Sequence, residues 1–142
     1  MRWCLALLLV YVTGSTAPAA KEITLPKGVP AKVARVLQHI DEAEDPYAIV
    51  SSLLGAVPPG SYVTISHPAA DLAAQQMAQM AERLNKLMAE KVTFRTRTQV
   101  EPFFDGLEMV EPGLVRVQEW RPDTEMEAKS PAALWGGMGR KA

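Results

Sequence analysis

The chain has 142 residues, a net charge of −1 and charged residues of both signs interspersed along its length. This length corresponds to one domain, which can bury roughly two-thirds of its unfolded surface, and the balanced charge gives no indication of nucleic-acid binding. The single cysteine, Cys4, excludes an internal disulfide and a cysteine-based zinc cluster, and the presence of only two histidines argues against a multi-histidine metal site.

The first twenty residues allow two interpretations. Arg2 precedes an apolar run over residues 3–12, and an A-x-A sequence follows at 17–19, which is the order of a secretory signal. The run is too short for a transmembrane helix, which needs about 20 apolar residues. The alternative is a buried strand, or a start region unrelated to the fold that follows. Residues 21–30 hold two prolines and a glycine and predict a connector, so we treat residues 1–30 as a signal-like or disordered segment with its linker.

Residues 33–40 are ambiguous, because their apolar positions fit both a helical face and a strand that ends at a polar edge. The acidic sequence DEAE follows at 41–44 and leads into Asp45. Four carboxylates in five residues suggest a cation site, but no glycine-shaped ligand loop accompanies them. We expect them instead to be acids at the start of a helix, where negative charge is favourable.

The clearest pattern runs over residues 45–67, DPYAIVSSLLGAVPPGSYVTISH. Asp45 and the proline after it suit the first turn of a helix, which is predicted over 45–57 from apolar residues at helical spacing. The PPG sequence ends this helix. Aromatic and β-branched residues over 61–66 predict a strand that the His67-Pro68 pair ends. A helix joined to a strand by a short turn is half of a β/α repeat, and the predicted class is α/β.

A long helix is predicted over residues 70–90, with a stripe of methionines and leucines on one side. We expect this stripe to be core rather than an adaptable binding groove. Its members are Met77, Met80, Leu84, Leu87 and Met88. Arg95 and Arg97 follow on a polar connector, where a pair of arginines can bind phosphate but is expected here to be solvated.

A short helix is predicted after this connector. Either Thr96 with Gln99 or Thr98 with Glu101 supplies the capping-box pattern for its start. The two phenylalanines at 103–104 are expected to anchor the helix in the core.

The remaining residues predict closing strands. The apolar runs 107–110 and 114–117 form one bent strand or a pair, and a polar loop covers 121–131. Residues 132–139 predict a last strand. Its glycines resemble a phosphate loop, but no helix follows them, so we expect them to allow close packing.

Three segments together resemble the C-terminal half of the actinobacterial S-adenosyl methyltransferase family: DPYAIVSSLLGAVPPGSYVTISH, FFDGLEMVEPGLVRVQEWRPD and LWGGMGRK. The resemblance implies an α/β fold over residues 31–142, namely a partial class I methyltransferase sheet of the Rossmann-like type. By that resemblance residues 45–57 are the helix after strand four and 61–66 are strand five. The runs 107–117 and 132–139 form the closing antiparallel strand pair. The first three strands are lacking, because the N-terminal third does not match the family's pattern.

The resemblance also implies a function. It indicates S-adenosyl-L-methionine as the cofactor and methyl transfer to an unknown small-molecule acceptor. The glycine-rich cofactor loop of such enzymes is absent from this chain, so we expect a truncated member that is weak or inactive alone. A cytoplasmic location is expected, because the cofactor is made and used there. The alternative is a non-catalytic small α/β interaction module, secreted if residues 1–19 are a cleaved signal peptide.

Four polar residues are candidates for binding cofactor or substrate. In the family's fold His39 would end strand four and His67 would follow strand five, so both would face the carboxyl edge of the sheet. A histidine there can orient a methyl acceptor or act as a general base. Asp41 and Asp45 lie at the same edge and can contact substrate. The alternative is that the two histidines only close strand ends by hydrogen bonding.

The missing strands also predict a contact surface. Without strands one to three, the edge of strand four is exposed, and an open strand edge invites pairing with another chain. We therefore expect self-association, or a partner chain, through the strand-four edge. By the same argument the isolated chain is expected to be oligomeric or marginally stable.

Overall fold

The computed structural model describes residues 8–11, 37–129 and 131–142. Most of the signal-like segment, the connector at 21–30 and the first part of the ambiguous stretch at 33–40 lie outside these described residues. The domain boundary placed after residue 30 therefore stays a prediction.

One antiparallel sheet of five short strands organises the described residues. Its strands are β1 (Leu8–Tyr11), β2 (Tyr62–Pro68), β3 (Leu107–Met109), β4 (Val115–Arg116) and β5 (Leu134–Lys141). The order is β1-β2-β5-β3, and β4 also pairs with β5. One edge of β5 pairs along the whole of β2, and β3 and β4 pair with β5 as well. The expected closing antiparallel strands are present, and the runs before β5 form two strands rather than one bent strand.

The strand beside β2 comes from the N-terminal apolar run. In β1, Leu8 lies opposite Ile65 and Tyr11 opposite Tyr62, so the two strands are antiparallel. The resemblance placed a strand four from residues 33–40 in the sheet. The described part of that stretch instead contains the 3-10 helix Leu37–His39, so the strand interpretation is wrong there. Lys32 and Arg35 already interrupt the apolar run that a strand buried on both faces requires.

Helix α1 (Pro46–Ala56) confirms the helix predicted before the sheet. The Asp45 carboxylate accepts the N–H of Ala48 at 3.1 Å, which satisfies one of the free donors at the helix start. The strand that follows is longer than expected. The strand ends at Pro68, so the prediction that the His67-Pro68 pair ends it is confirmed, but both residues lie within β2 and pair with Trp135 and Leu134 of β5, so the expected limit at residue 66 is wrong.

Helix α2 (Ala74–Leu87) is present, but its apolar stripe is mostly outside the core. Met77 is buried, whereas Met80, Leu87 and Met88 are 50%, 84% and 42% exposed. The core prediction is therefore wrong for these three side chains. The apolar face of the helix is wider than the surface that the described residues place against it.

The core forms where α1, β2 and the next helical segment meet. That segment is helix α3 (Arg97–Val100), which continues into the 3-10 helix Glu101–Phe104. Phe103 and Phe104 are buried, as predicted. The Gln99 side-chain oxygen accepts the Thr96 N–H at 2.9 Å, so the first of the two capping patterns is the one formed. The core members are Leu37, Ile40, Val50, Val63, Ile65, Val100, Phe103, Phe104 and Leu114.

The glycines of β5 allow this core to pack closely. A Cβ atom added at Gly137 would lie 3.0 Å from the Phe104 ring, and one at Gly139 would lie 2.9 Å from the Leu107 side chain. The close-packing interpretation is confirmed at both positions. The polar loop before β5 carries a short helix α4 (Glu125–Ala128). The described residues thus form a mixed α/β unit with an open antiparallel sheet.

Candidate functional site

The candidate site lies at the carboxyl end of β2. His67 is fully buried there, opposite Trp135 in the pairing with β5. The connector before α3 runs beside this end: Arg95 donates its N–H to Pro68 at 3.1 Å, and Ala70 donates to the Arg95 carbonyl at 2.9 Å. These two bonds form a parallel bridge that fixes Arg95 against the end of the strand.

The Arg95 side chain is the centre of the site, and it is fully buried. Its Nε donates to the Glu42 carboxylate at 2.9 Å, and its Nη2 donates to the carbonyl of Ile40 at 2.7 Å. Its Nη1 donates to the carbonyl of Leu37 at 3.1 Å and lies 3.3 Å from His67 Nε2. The expectation that Arg95 is solvated is therefore wrong.

These acceptors explain how the fold tolerates a buried cation. Taking an unpaired charge out of water costs several kcal/mol even after relaxation. Arg95 offsets this cost through hydrogen bonds to the half-exposed carboxylate of Glu42 and to two backbone carbonyls. Its guanidinium also lies 5.6 Å from the centre of the Phe103 ring, and the Tyr47 ring stacks on Phe103 with the ring centres 4.7 Å apart. The Tyr47 hydroxyl donates to the Gln99 carbonyl at 2.9 Å, which joins α1 to α3.

His67 is neutral at physiological pH. Burial, and then the positive charge of Arg95, lower the pKa of His67 to about 3. Its Nε2 lies 3.1 Å from the Thr93 carbonyl, which fits a neutral ring that donates from this nitrogen. Among the described residues Nδ1 has no hydrogen-bond partner. A buried imidazole of such low basicity is a poor general base, and its contacts favour the alternative of a histidine that holds neighbouring backbone.

His39 lies at the end of the 3-10 helix that supplies the Leu37 carbonyl. Its ring is half-buried, and Nδ1 lies 3.3 Å from the carbonyl of Lys91, on the loop between α2 and Arg95. The same loop is fixed by Asn85, whose side chain bonds both the N–H and the carbonyl of Val92. His39 is therefore the partly accessible histidine of the site.

Asp41 and Asp45 cap successive helical turns. Asp41 Oδ1 accepts the N–H groups of Ala43 and Glu44 at 2.9 and 3.2 Å, and Asp45 caps α1. Both carboxylates are exposed. The prediction that this acidic run marks a helix start is confirmed, and the part of the chain that the structure describes holds no cluster of acids, histidines or cysteines suited to a metal.

A second polar group, missed by sequence reasoning, lies at the same end of the sheet. Asp71 accepts the Trp135 indole N–H at 2.7 Å and the Arg97 N–H at 2.9 Å. Burial raises the pKa of the Asp71 carboxyl, but these two hydrogen bonds, together with the backbone of Asp71 itself and the charge of Arg97, leave the pKa below its ordinary value. The Arg97 guanidinium lies 5.8 Å from the Trp135 ring centre. The signal in the sequence is weak, because Asp71 and Trp135 are 64 residues apart.

The structure thus brings His67 and the segment that carries His39 and Asp41 together through Arg95. Asp45 lies one helical turn further along and has no contact with the arginine among the described hydrogen bonds. No helix in the described ranges is long and apolar enough to span a membrane.

Comparison with known proteins identifies the family. The model of the S-adenosyl methyltransferase family matches residues 14–142. A crystal structure of a DUF574 family protein from Streptomyces avermitilis is 34% identical and superposes with a TM-score of 0.68, covering 75% of this chain and 41% of that protein. A protein from Thermobifida fusca that is named as a proposed methyltransferase is 28% identical, with a TM-score of 0.62, covering 74% of this chain and 40% of that protein. No curated protein sequence matched the chain.

The chain thus spans about two-fifths of the length of these two structures. Its fold is a part of a Rossmann-like methyltransferase domain, as the resemblance implied. The chain belongs to the S-adenosyl methyltransferase family.

Proposed function

We propose that this chain forms the acceptor side of an S-adenosyl-L-methionine-dependent methyltransferase and is weak or inactive without a cofactor-binding half. The observation that carries the proposal is the family match over residues 14–142, combined with coverage of only 41% of the Streptomyces avermitilis protein. The acceptor is a small molecule whose identity the residues do not specify.

The described residues do not fit the cofactor by themselves. Family enzymes hold it on a glycine-rich loop between a strand and a helix, and within the described ranges β2 and α2 are joined by residues 69–73, which contain no glycine. The space beside Gly137 and Gly139 of β5 is occupied by the side chains of Phe104, Leu114 and Leu107. These glycines therefore leave no room for the ribose of the cofactor. The cofactor therefore needs residues from outside the described part of the chain.

The chain's own residues would bind and orient the acceptor. His39 is half-buried on the segment that Arg95 links to the carboxyl end of β2. Asp41 is exposed, with only Oδ1 used by backbone N–H groups among the described hydrogen bonds. Methyl transfer depends mainly on positioning the nucleophile, so a fixed imidazole and an exposed carboxylate are sufficient polar groups for this side. Asp45 and His67 have supporting roles: Asp45 caps helix α1, and the buried His67 holds the neighbouring backbone.

The test is a chimera. Residues 37–142 replace the superposed part of the Streptomyces avermitilis protein, and S-adenosyl-L-methionine binding is measured by calorimetry for the chimera and the intact parent. The proposal predicts saturable binding by both, because this chain supplies the half that does not cradle the cofactor. A folded chimera that fails to bind while the parent binds would contradict it. A parent that binds no S-adenosyl-L-methionine would remove the cofactor assignment itself.

We propose that the chain also associates through the end of its sheet. Within the described residues β1 is the terminal strand beside β2, and it occupies the side where the resemblance placed strand four. A strand from a second copy, or from a partner chain, would add to its outer edge. Sedimentation velocity over a hundredfold range of concentration tests this: growth of the sedimentation coefficient supports self-association, and a constant monomer value contradicts it.

We further propose a cytoplasmic location, because the cofactor is made and used there. Fractionation of cells that express a C-terminally tagged chain tests this placement. A full-length chain in the cell extract is expected. A tagged chain recovered from the medium without residues 1–19 would contradict it and favour the secreted interaction module.

A further inference from the structure

Three of the acceptors around Arg95 belong to one short segment. The carbonyls of Leu37 and Ile40 and the carboxylate of Glu42 accept its N–H groups at 3.1, 2.7 and 2.9 Å. This segment lies 53 or more residues away in sequence. It also carries His39. One guanidinium therefore determines how this segment folds against the sheet.

The same residue contacts the carboxyl end of β2 by both its backbone and its side chain. The backbone bonds to Pro68 and Ala70, and Nη1 lies 3.3 Å from His67 Nε2. His67 and Pro68 are adjacent residues of β2, and both pair with β5. Arg95 is thus the link between the end of the strand and the His39-bearing segment.

We propose that Arg95 is a positioning residue that holds the 37–42 segment, and with it His39 and Asp41, at the carboxyl end of β2. The assignment of this segment to an acceptor site rests on the proposed function. Arg95 itself is fully buried and so acts through the groups that it holds, without touching the acceptor.

The geometry requires arginine in particular. A guanidinium presents donors in a planar fork, which can reach three acceptors in different directions, whereas a lysine ammonium presents all of its donors at one point. Arg97, two residues on, provides a matched control. Its side chain is half exposed, pairs with Glu101 at 3.3 Å and lies over the Trp135 ring, with no described contact to the 37–42 segment.

The experiment compares Arg95→Lys, Glu42→Gln and Arg97→Lys in the full chain. The readout is the NMR signals of the histidine rings, which are simple to assign because the chain has only two histidines. Arg95→Lys is expected to shift both ring signals and to speed amide exchange over residues 40–45 by about tenfold or more, while β2 and β5 amides change much less. Glu42→Gln, at a half-exposed carboxylate, keeps an acceptor oxygen and is expected to shift the His39 signal by a smaller amount in a folded chain. Arg97→Lys should leave the His39 ring and the 40–45 amides at their wild-type values.

A merely structural role for Arg95 gives a different result. Exchange would then accelerate uniformly over the sheet and the 40–45 segment, in proportion to the loss of melting temperature. An unchanged His39 signal in both Arg95→Lys and Glu42→Gln would also overturn the proposal. If Arg95→Lys does not fold, Glu42→Gln decides alone: a shifted His39 signal supports positioning and an unshifted one overturns it. None of these readouts needs cofactor, so failure of the chimera to bind S-adenosyl-L-methionine would refute the proposed function and leave this result standing.

Discussion

Acidification should destabilise this protein through His67. The folded-state pKa of about 3 lies well below the ordinary value of 6.5, so between these values the unfolded chain binds a proton that the folded chain excludes. The stabilisation is complete above about pH 6.5 and is lost as the pH falls toward 3. At about 1.4 kcal/mol per pH unit, the free energy of unfolding should fall by about 3 kcal/mol between pH 7 and pH 4 through this residue alone.

The assay is urea unfolding followed by circular dichroism at several pH values between 4 and 7, for the wild type and for His67→Gln. Glutamine keeps a donor toward the Thr93 carbonyl but does not titrate. The variant is expected to be less stable at pH 7 and to lose less stability on acidification, so the two curves should approach each other by about 3 kcal/mol. Parallel curves would refute the argument, because they would mean that burial beside Arg95 does not keep His67 neutral.

Three further predictions concern the fold. Gly139→Ala should destabilise the protein by about 1–3 kcal/mol, because the new Cβ would lie 2.9 Å from Leu107. Gly55→Ala, with open space around it in α1, should instead stabilise the protein by about 0.5–1 kcal/mol. Changes of the same sign in the free energy of chemical unfolding would contradict this. Lys141→Met should cost about 1–3 kcal/mol, since the ammonium donates to two carbonyls at the end of α1 at 2.6 and 2.8 Å; a melting temperature equal to that of the wild type would count against it. Leu87→Ser should change stability by less than about 0.5 kcal/mol, because the side chain is 84% exposed; a large loss would mean that this face is covered in solution.

Local patterns predicted much of the fold. Asp45 followed by proline fixes the start of α1, because cap and first-turn preferences act within a few residues. The burial of Phe103 and the close packing at Gly139 follow from side-chain size alone. The closing antiparallel strands came with the family resemblance, and the sheet contains them.

The centre of the site could not be predicted in this way. Arg95 lies in the sequence TFRTRT, whose threonines and second arginine are typical of a solvated connector. Two of its three anchoring acceptors on the 37–42 segment are backbone carbonyls, which every residue has, so they leave no trace in the sequence. The prediction that the apolar stripe of α2 is core was wrong for a different reason. Helical spacing identifies an apolar face but does not show whether other residues cover it, and the described residues leave Met80 and Leu87 exposed.

The most direct test of the account is a calorimetric titration of S-adenosyl-L-methionine into the purified 142-residue chain, with the Streptomyces avermitilis protein titrated in parallel and circular dichroism to show that both are folded. The account predicts saturable binding by the Streptomyces avermitilis protein and no saturable heat for this chain, because the proposed function assigns its described residues to the acceptor side, without a cofactor cradle. Saturable binding by the chain alone would contradict the account and would place the cradle within these 142 residues.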